Sequence, residues 1–233
     1  MALILNIDTA TEHASVCLSK DGELLAIESN PNQKDHAAFI QPAIHKLSTI
    51  HYPLSALDAI AVSNGPGSYT GLRVGLSTAK GLCYALNKPL ILINTLEIIA
   101  TAAIQSDHLP PGNCKLPTIY CSMIDARRME VFTAVYDKNL EEKQSPSAMI
   151  LDKNSFSDLL SHHRIFFNGS GAEKFKTVVE NNNAYFLQVQ HDARHMQTIA
   201  EKMYLLKSFA DIAYSEPFYL KEFFTAAPKL KSD

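Results

Sequence analysis

The run Ala61 to Gly75 (AVSNGPGSYTGLRVG) concentrates the residue types that could do chemistry. An apolar strand ends at Ser63, Asn64-Gly65-Pro66-Gly67 turns tightly, and a helix begins near Tyr69. Glycine allows positive φ and close approach of backbone to a ligand. Ser68 or Thr70 can cap the open N–H groups of the helix, and those groups with the helix dipole favour an anion. Gly65, Gly67 and Ser68 are therefore candidate contacts for a nucleotide or anion, and a tight strand-to-helix turn is the plainer alternative. The run is not a P-loop, because G-x-x-x-x-G-K-S/T is absent. Nor is it G-x-G-x-x-G, because Gly65, Gly67 and Gly71 leave one residue too many before the third glycine.

Two further groups carry chemistry. His191-Asp192-Ala193-Arg194-His195 is an H-x-x-x-H, which on a helix can share a metal. Arg194 adds positive charge beside the would-be cation, so the expectation is no metal. Arg127 and Arg128 sit at a turn between two strands. They could meet RNA or a partner's acidic groups, or simply be exposed hairpin charges.

The elements that must position these groups follow from periodicity. Leu3 to Asp8, His13 to Lys20 and Glu23 to Glu28 read as a meander, with Asp21-Gly22 as hairpin turn. Helical spacing follows from Asp35 to Ile50, where Pro42 should kink the helix or mark the start of its regular part. Leu57–Ser63 and Leu90–Ile93 read as buried strands, and Tyr69–Asn87 and Thr95–Ile104 as helices. The order is βββαβαβα. The second half repeats it more loosely: strands at Thr118–Asp125, Glu130–Asp137, near Ala148–Ile150, Ile165–Asn168 and Phe186–Val189, with helices at Ser155–Ser161 and about Arg194–Phe209. The fold class is α/β, a duplicated ribonuclease-H-like fold. Its halves are 1–106 and 118–233, joined by a linker at 107–117 that holds three prolines and a glycine. In the Tyr69 helix, Leu72, Leu76, Ala79, Cys83 and Leu86 make one apolar stripe. Gly71, Gly75, Thr78, Leu82 and Ala85 make a second. A helix on a sheet needs one stripe, so the second suggests another helix, of this chain or of a partner.

Composition narrows the classes. The 233 residues are 46% hydrophobic and 19% charged, with net charge −3. That suffices for a core and shows no basic excess of the kind that grips nucleic acid directly. No run reaches the ~18 apolar residues of a membrane span, and the start is not a signal peptide. Cys17, Cys83, Cys114 and Cys121 form no C-x-x-C pair, which fits a reduced, cytoplasmic setting.

The chain resembles the TsaB (YeaZ) family of bacterial tRNA-modification proteins. The matching stretches are Leu5 to Ala10, Lys34-Asp35-His36 with Ile40-Gln41-Pro42, Ser63 to Gly75, Asp125 to Phe132 (DARRMEVF), Asn168 to Gly171 and Glu216 to Leu220. The resemblance implies a member of the actin/Hsp70/sugar-kinase superfamily that has lost chemistry. It implies a non-catalytic subunit, acting with the catalytic sister TsaD and the ATPase TsaE, that helps place a threonylcarbamoyl group on the adenosine next to the anticodon of ANN-reading tRNAs. The sister carries a metal-binding H-x-x-x-H where this chain has Thr95 and Ile99, neither a normal transition-metal ligand. The partner face implied is a helix bundle involving His36, Ile40, Ile44, Gly71, Gly75, Thr78 and Leu82. Asp8 stands where active superfamily members hold a metal–phosphate, but Thr9-Ala10-Thr11 lacks the glycine that admits phosphate. The expectation is no cofactor, with ATP or ADP only at a shared complex interface. Competing readings are an ATP-dependent phosphotransferase, a metallo-glycopeptidase, and a self-standing homodimer.

Overall fold

The computed structural model describes residues 2–30, 35–106 and 116–221. Lys34, Cys114, most of the expected linker (107–115) and residues 222–233 lie outside the described residues. The first sheet begins with the antiparallel strands Leu3–Asp8 (β1), Ala14–Lys20 (β2) and Glu23–Asn30 (β3). Asp21 and Gly22 both take positive φ, as a primed hairpin turn requires. Ala59–Gly65 (β4) and Leu90–Asn94 (β5) add in parallel, giving the order β3-β2-β1-β4-β5. The intervening helices are His36–Ile50 (α1), Tyr69–Leu86 (α2) and Thr95–Ile104 (α3). Helix α1 starts at His36, with Pro42 inside it, rather than at Pro42.

The second sheet repeats the plan. Thr118–Asp125 (β6), Glu130–Asp137 (β7) and Glu142–Ile150 (β8) are antiparallel, and Arg164–Asn168 (β9) and Ala184–Phe186 (β10) join in parallel. The order β10-β9-β6-β7-β8 mirrors the first sheet strand for strand, so the fold is a duplicated ribonuclease-H-like fold. Ser157–His162 (α4), Ala172–Lys176 (α5) and Gln197–Leu205 (α6) complete the chain.

Three elements differ from their expected extent. Strand β8 has nine residues, not three, because Glu142, Lys143 and Pro146 mark a half-exposed edge strand with no clean alternation. The last strand is 184–186 rather than 186–189, and α5 is too short to show a period. The final helix starts at Gln197, after a 3-10 turn over Ala193–Met196. That turn is set by a reciprocal cap: the Asp192 carboxylate accepts from the Arg194 amide at 3.0 Å, and the His195 ring accepts from the Asp192 amide at 3.1 Å.

Every residue of β1 is buried, the pattern of a strand covered on both faces. Leu5 and Ile7 face α1 and α2, packing with Ile40, Ile44, Leu47, Leu76 and Ala79. Ile4 faces the other way, with Ile98 of α3 and Met196, Ile199 and Ala200. Each such side chain, fully buried, contributes about 1.5–3 kcal/mol. Eight of the ten residues of α3 are buried, as expected of a helix apolar on all sides. Ile98 serves the first sheet, while Leu96, Ile99 and Ala100 pack on Ile124, Ala134 and Tyr136 of the second. The chain after residue 118 does not all stay with the second sheet. Ala193, Met196, Ile199 and Ala200 join α3 on one face of the first sheet, and Ala210 and Ile212 pack on the α1 and α2 side.

Candidate functional site

A cleft of about 1440 Å³ lies between the two sheets, at the ends of their central strands. Thr11, His36, Gly67 and His191 line it from the first sheet's side, and Arg127 and Asn168 from the other. Equivalent groups sit at equivalent strand ends: Asp8 closes β1 and Asp125 closes β6.

Asp8 is fully buried. Its Oδ1 accepts from the Ala10 amide at 3.1 Å, and its Oδ2 lies 3.6 Å from His191 Nε2. His191 Nε2 is also 3.3 Å from the Thr11 hydroxyl. Burial pushes the His191 pKa down, reinforced by His195 and His13; the Asp8 carboxylate opposes this without reversing it. The ring is thus neutral near pH 7 and can donate one hydrogen toward Asp8 or Thr11. Sequence spacing could not find this pair, since 183 positions separate its members. The H-x-x-x-H is spent structurally: His191 sits against β1, and His195 caps its own turn.

The glycine loop is filled from within. A side chain on Gly67 would collide with the Ala10 carbonyl, one on Gly65 with the Phe218 carbonyl, one on Gly71 with the Thr9 carbonyl, and one on Gly75 with the Thr9 hydroxyl. The Ser68 amide donates to the Ala10 carbonyl at 2.6 Å, and the Ser68 hydroxyl accepts from the Gly71 amide at 3.3 Å. The Ser68 amide and the space beside Gly65 and Gly67 are thus taken up by the chain's own backbone. Thr9, which sequence reasoning passed over, is the residue that explains Gly71 and Gly75; its hydroxyl donates to the Gly71 carbonyl at 2.8 Å.

The residues of the expected partner face lie partly inside the chain. Gly71 and Gly75 are buried against Thr9, and Ile40 and Ile44 are core. Within the second stripe, Gly71 and Gly75 serve the β1–β2 turn, and Gly71 also meets His36 of α1. Thr78 and Leu82 are half-buried, with Leu82 packed against the core. His36 lines the cleft, and its Nε2 donates to the Thr11 carbonyl at 3.0 Å. The open side of α2 carries Ser77, Gly81, Tyr84 and Ala85. A side chain at Gly81 would meet nothing within 4 Å.

On the second sheet, Asp125 is exposed and bonded to Lys174 at 2.7 Å. Slight burial raises its pKa, but the Lys174 ammonium and the Arg127 amide outweigh this and hold the carboxyl below its ordinary value. Arg127 and Arg128 both take positive φ (70° and 49°) at the tip of the β6–β7 hairpin, and both are exposed. Arg127 alone of the two lines the cleft.

Thr95 is fully buried, and Ile99 forms part of the cleft floor, its carbonyl 3.3 Å from Asn168 Nδ2. Among the described residues, no three His, Cys, Asp or Glu side chains converge as a metal-binding set. Burial raises the Cys17, Cys83 and Cys121 thiols, the last two to about 12, so they stay protonated. No helix among the described residues is long and apolar enough to cross a membrane.

A family model described as TsaD, tRNA N6-adenosine threonylcarbamoyltransferase, matches residues 27–227. The tRNA threonylcarbamoyladenosine biosynthesis proteins TsaB of Haemophilus influenzae and Bacillus subtilis are 27% and 28% identical to this chain, over 94% of it and 93% of each of them. The chain belongs to this family, on its TsaB (YeaZ) branch. YeaZ from Pseudomonas aeruginosa, 24% identical, superimposes with a TM-score of 0.79 over 94% of this chain and all of that one, which shows the shared fold. In this TsaB-branch chain the family's glycine run serves as a packing device, and the cleft it borders is walled by both sheets.

Proposed function

We propose that this chain is a non-catalytic subunit that activates a TsaD-type transferase, with a TsaE-type ATPase, in placing a threonylcarbamoyl group on the adenosine next to the anticodon of ANN-reading tRNAs. The observation that carries this reading is the pair Thr95 and Ile99. At the positions where the resemblance implies a metal-binding histidine pair, one side chain is sealed in the core and the other is a hydrocarbon. Neither is a normal transition-metal ligand or a general acid–base group.

The docking face is the open side of α1 and α2, around Ser77, Gly81 and Ala85, with Thr78 and Leu82 at its edge. Small residues let helix axes approach near the short end of the 8–10 Å range. ATP or ADP, if held, sits at the interface of the two subunits, and tRNA contact comes through the complex, with Arg127 and Arg128 as candidate contacts. Without a partner the same face can pair two copies of the chain.

The test is reconstitution of donor synthesis, TsaD-type subunit and ATPase with and without this chain, scored by modified adenosine in tRNA. Modification that needs this chain, and that survives Asp8→Asn, supports the reading. Modification that proceeds equally without it overturns the reading. Metal-dependent turnover by the chain alone would assign the chemistry here instead.

A further inference from the structure

Residues 210–221 run back along the first lobe and end on the second. Ala210 pairs with Leu90 at the free edge of β5. Lys80 of α2 donates to the carbonyls of Ala213 and Ser215, both at 3.1 Å. The Phe218 amide donates to the Asn64 carbonyl at 2.7 Å, beside the glycine loop. The Tyr219 ring lies 5.5 Å from that of Tyr69, and its hydroxyl accepts from Arg73 Nε at 3.2 Å. Arg73 itself lies over Tyr69, 4.0 Å from the ring centre. Lys221 then reaches Glu130 of β7 at 2.5 Å. Phe218 to Lys221 form one wall of the cleft.

The segment has no helix or strand of its own and is held largely by polar contacts. Such segments open at a small fraction of the global unfolding free energy. Tyr69, Arg73 and Lys80, which hold it, lie on α2, the helix that also carries the docking face.

We propose that residues 213–221 are a strap that closes the glycine-loop edge of the cleft and competes with the partner subunit for α2, so that docking releases the strap and opens the cleft. The competition rests on the docking reading above; the closure does not. Linkage makes the coupling reciprocal: whatever loosens the strap tightens docking by the same factor.

The experiment is hydrogen exchange on the full chain, with Tyr219→Ala combined with Lys221→Gln, and with Glu130→Gln as a cut from the opposite lobe. Exchange over 213–221 and over 64–68 is expected to quicken about tenfold in the double variant and about twofold in Glu130→Gln, while β6 and β7 keep their protection as a sign of intact fold. Titration with the TsaD-type subunit is expected to show several-fold tighter binding by the variants, and faster exchange over 213–221 in the wild-type complex. Quickened exchange at 213–221 with 64–68 unchanged would overturn closure. Unchanged or weaker binding by the loosened variants, or a strap more protected in the complex, would overturn competition. If the wild-type chain and both variants form no complex at all, the docking reading fails by itself, and exchange in the free variants still decides closure.

Discussion

The two sheets share one strand order but treat the same corner differently. In the first, β4 runs through Gly65 to Ser68 into the eighteen-residue α2, and the Asp8 carboxylate beside it is fully buried against His191. In the second, β9 runs through Gly169 to Gly171 into the five-residue α5, and Asp125 is exposed and tied to Lys174. Both corners use glycine where a neighbouring carbonyl presses in, Ala10 on Gly67 and Met123 on Gly169. The difference is what covers them. Both border the cleft, but the first is also covered by β1, the His191 segment and the strap. A repeated topology thus yields one rigid corner and one accessible one.

The largest expected effect separates the corners directly. Gly67→Ala brings a methyl against the Ala10 carbonyl, a contact with backbone that cannot give, whereas Gly171→Ala meets first the Val131 side chain at 2.7 Å, with Met123 Cβ at 3.1 Å and the Ile124 backbone at 3.2 Å. We expect a loss of about 2–3 kcal/mol for the former and about 1 kcal/mol for the latter. By calorimetry these are melting shifts of roughly 4–12 °C and 2–4 °C. Equal losses would show that both corners are equally rigid.

Next comes pH. His191 has a folded pKa below its unfolded value. Between the two, the unfolded chain binds the extra proton, so the stability this group contributes is present above the ordinary histidine pKa of about 6.5 and is lost as pH falls toward the folded value. Wild-type melting temperature should fall from pH 7 to pH 5, and His191→Gln should flatten that fall. An unchanged slope would mean that the first corner is not held by a neutral imidazole.

Gly81 tests the open side of α2. Gly81→Ala should raise stability by about 0.5–1 kcal/mol through helix propensity alone. Gly81→Gln should keep the monomer folded but weaken docking at least tenfold, about 1.4 kcal/mol. Full-strength docking by Gly81→Gln would place the partner elsewhere. The smallest effect is at the exposed corner, where Asp125→Asn should cost no more than about 0.5 kcal/mol and leave the cleft side of the first sheet untouched, since exposed ion pairs contribute little.

The amino-acid sequence by itself determined the elements and their order. Leu3 to Ile7 is apolar apart from Asn6 because both faces of β1 are covered. Asp21-Gly22 takes the positive φ of a two-residue hairpin. Ser68 caps α2, and α3 is apolar on all sides. These are local periodicities and local backbone preferences, so a linear reading reaches them. The motifs GPGSYTGLR and DARRMEVF likewise carried the family. The tertiary structure alone decided what the motifs are for. Only packing shows that Gly67 and the glycines of α2 make room for Ala10 and Thr9, that His191 meets Asp8 across 183 residues, that Ile40 and Ile44 are core, and that the chain returns to cover the first sheet and strap the cleft. Those contacts join residues with no shared period. Glycine has the same conformational freedom whether its empty side admits an anion or a carbonyl, so its occupant is set by which backbone the fold brings there.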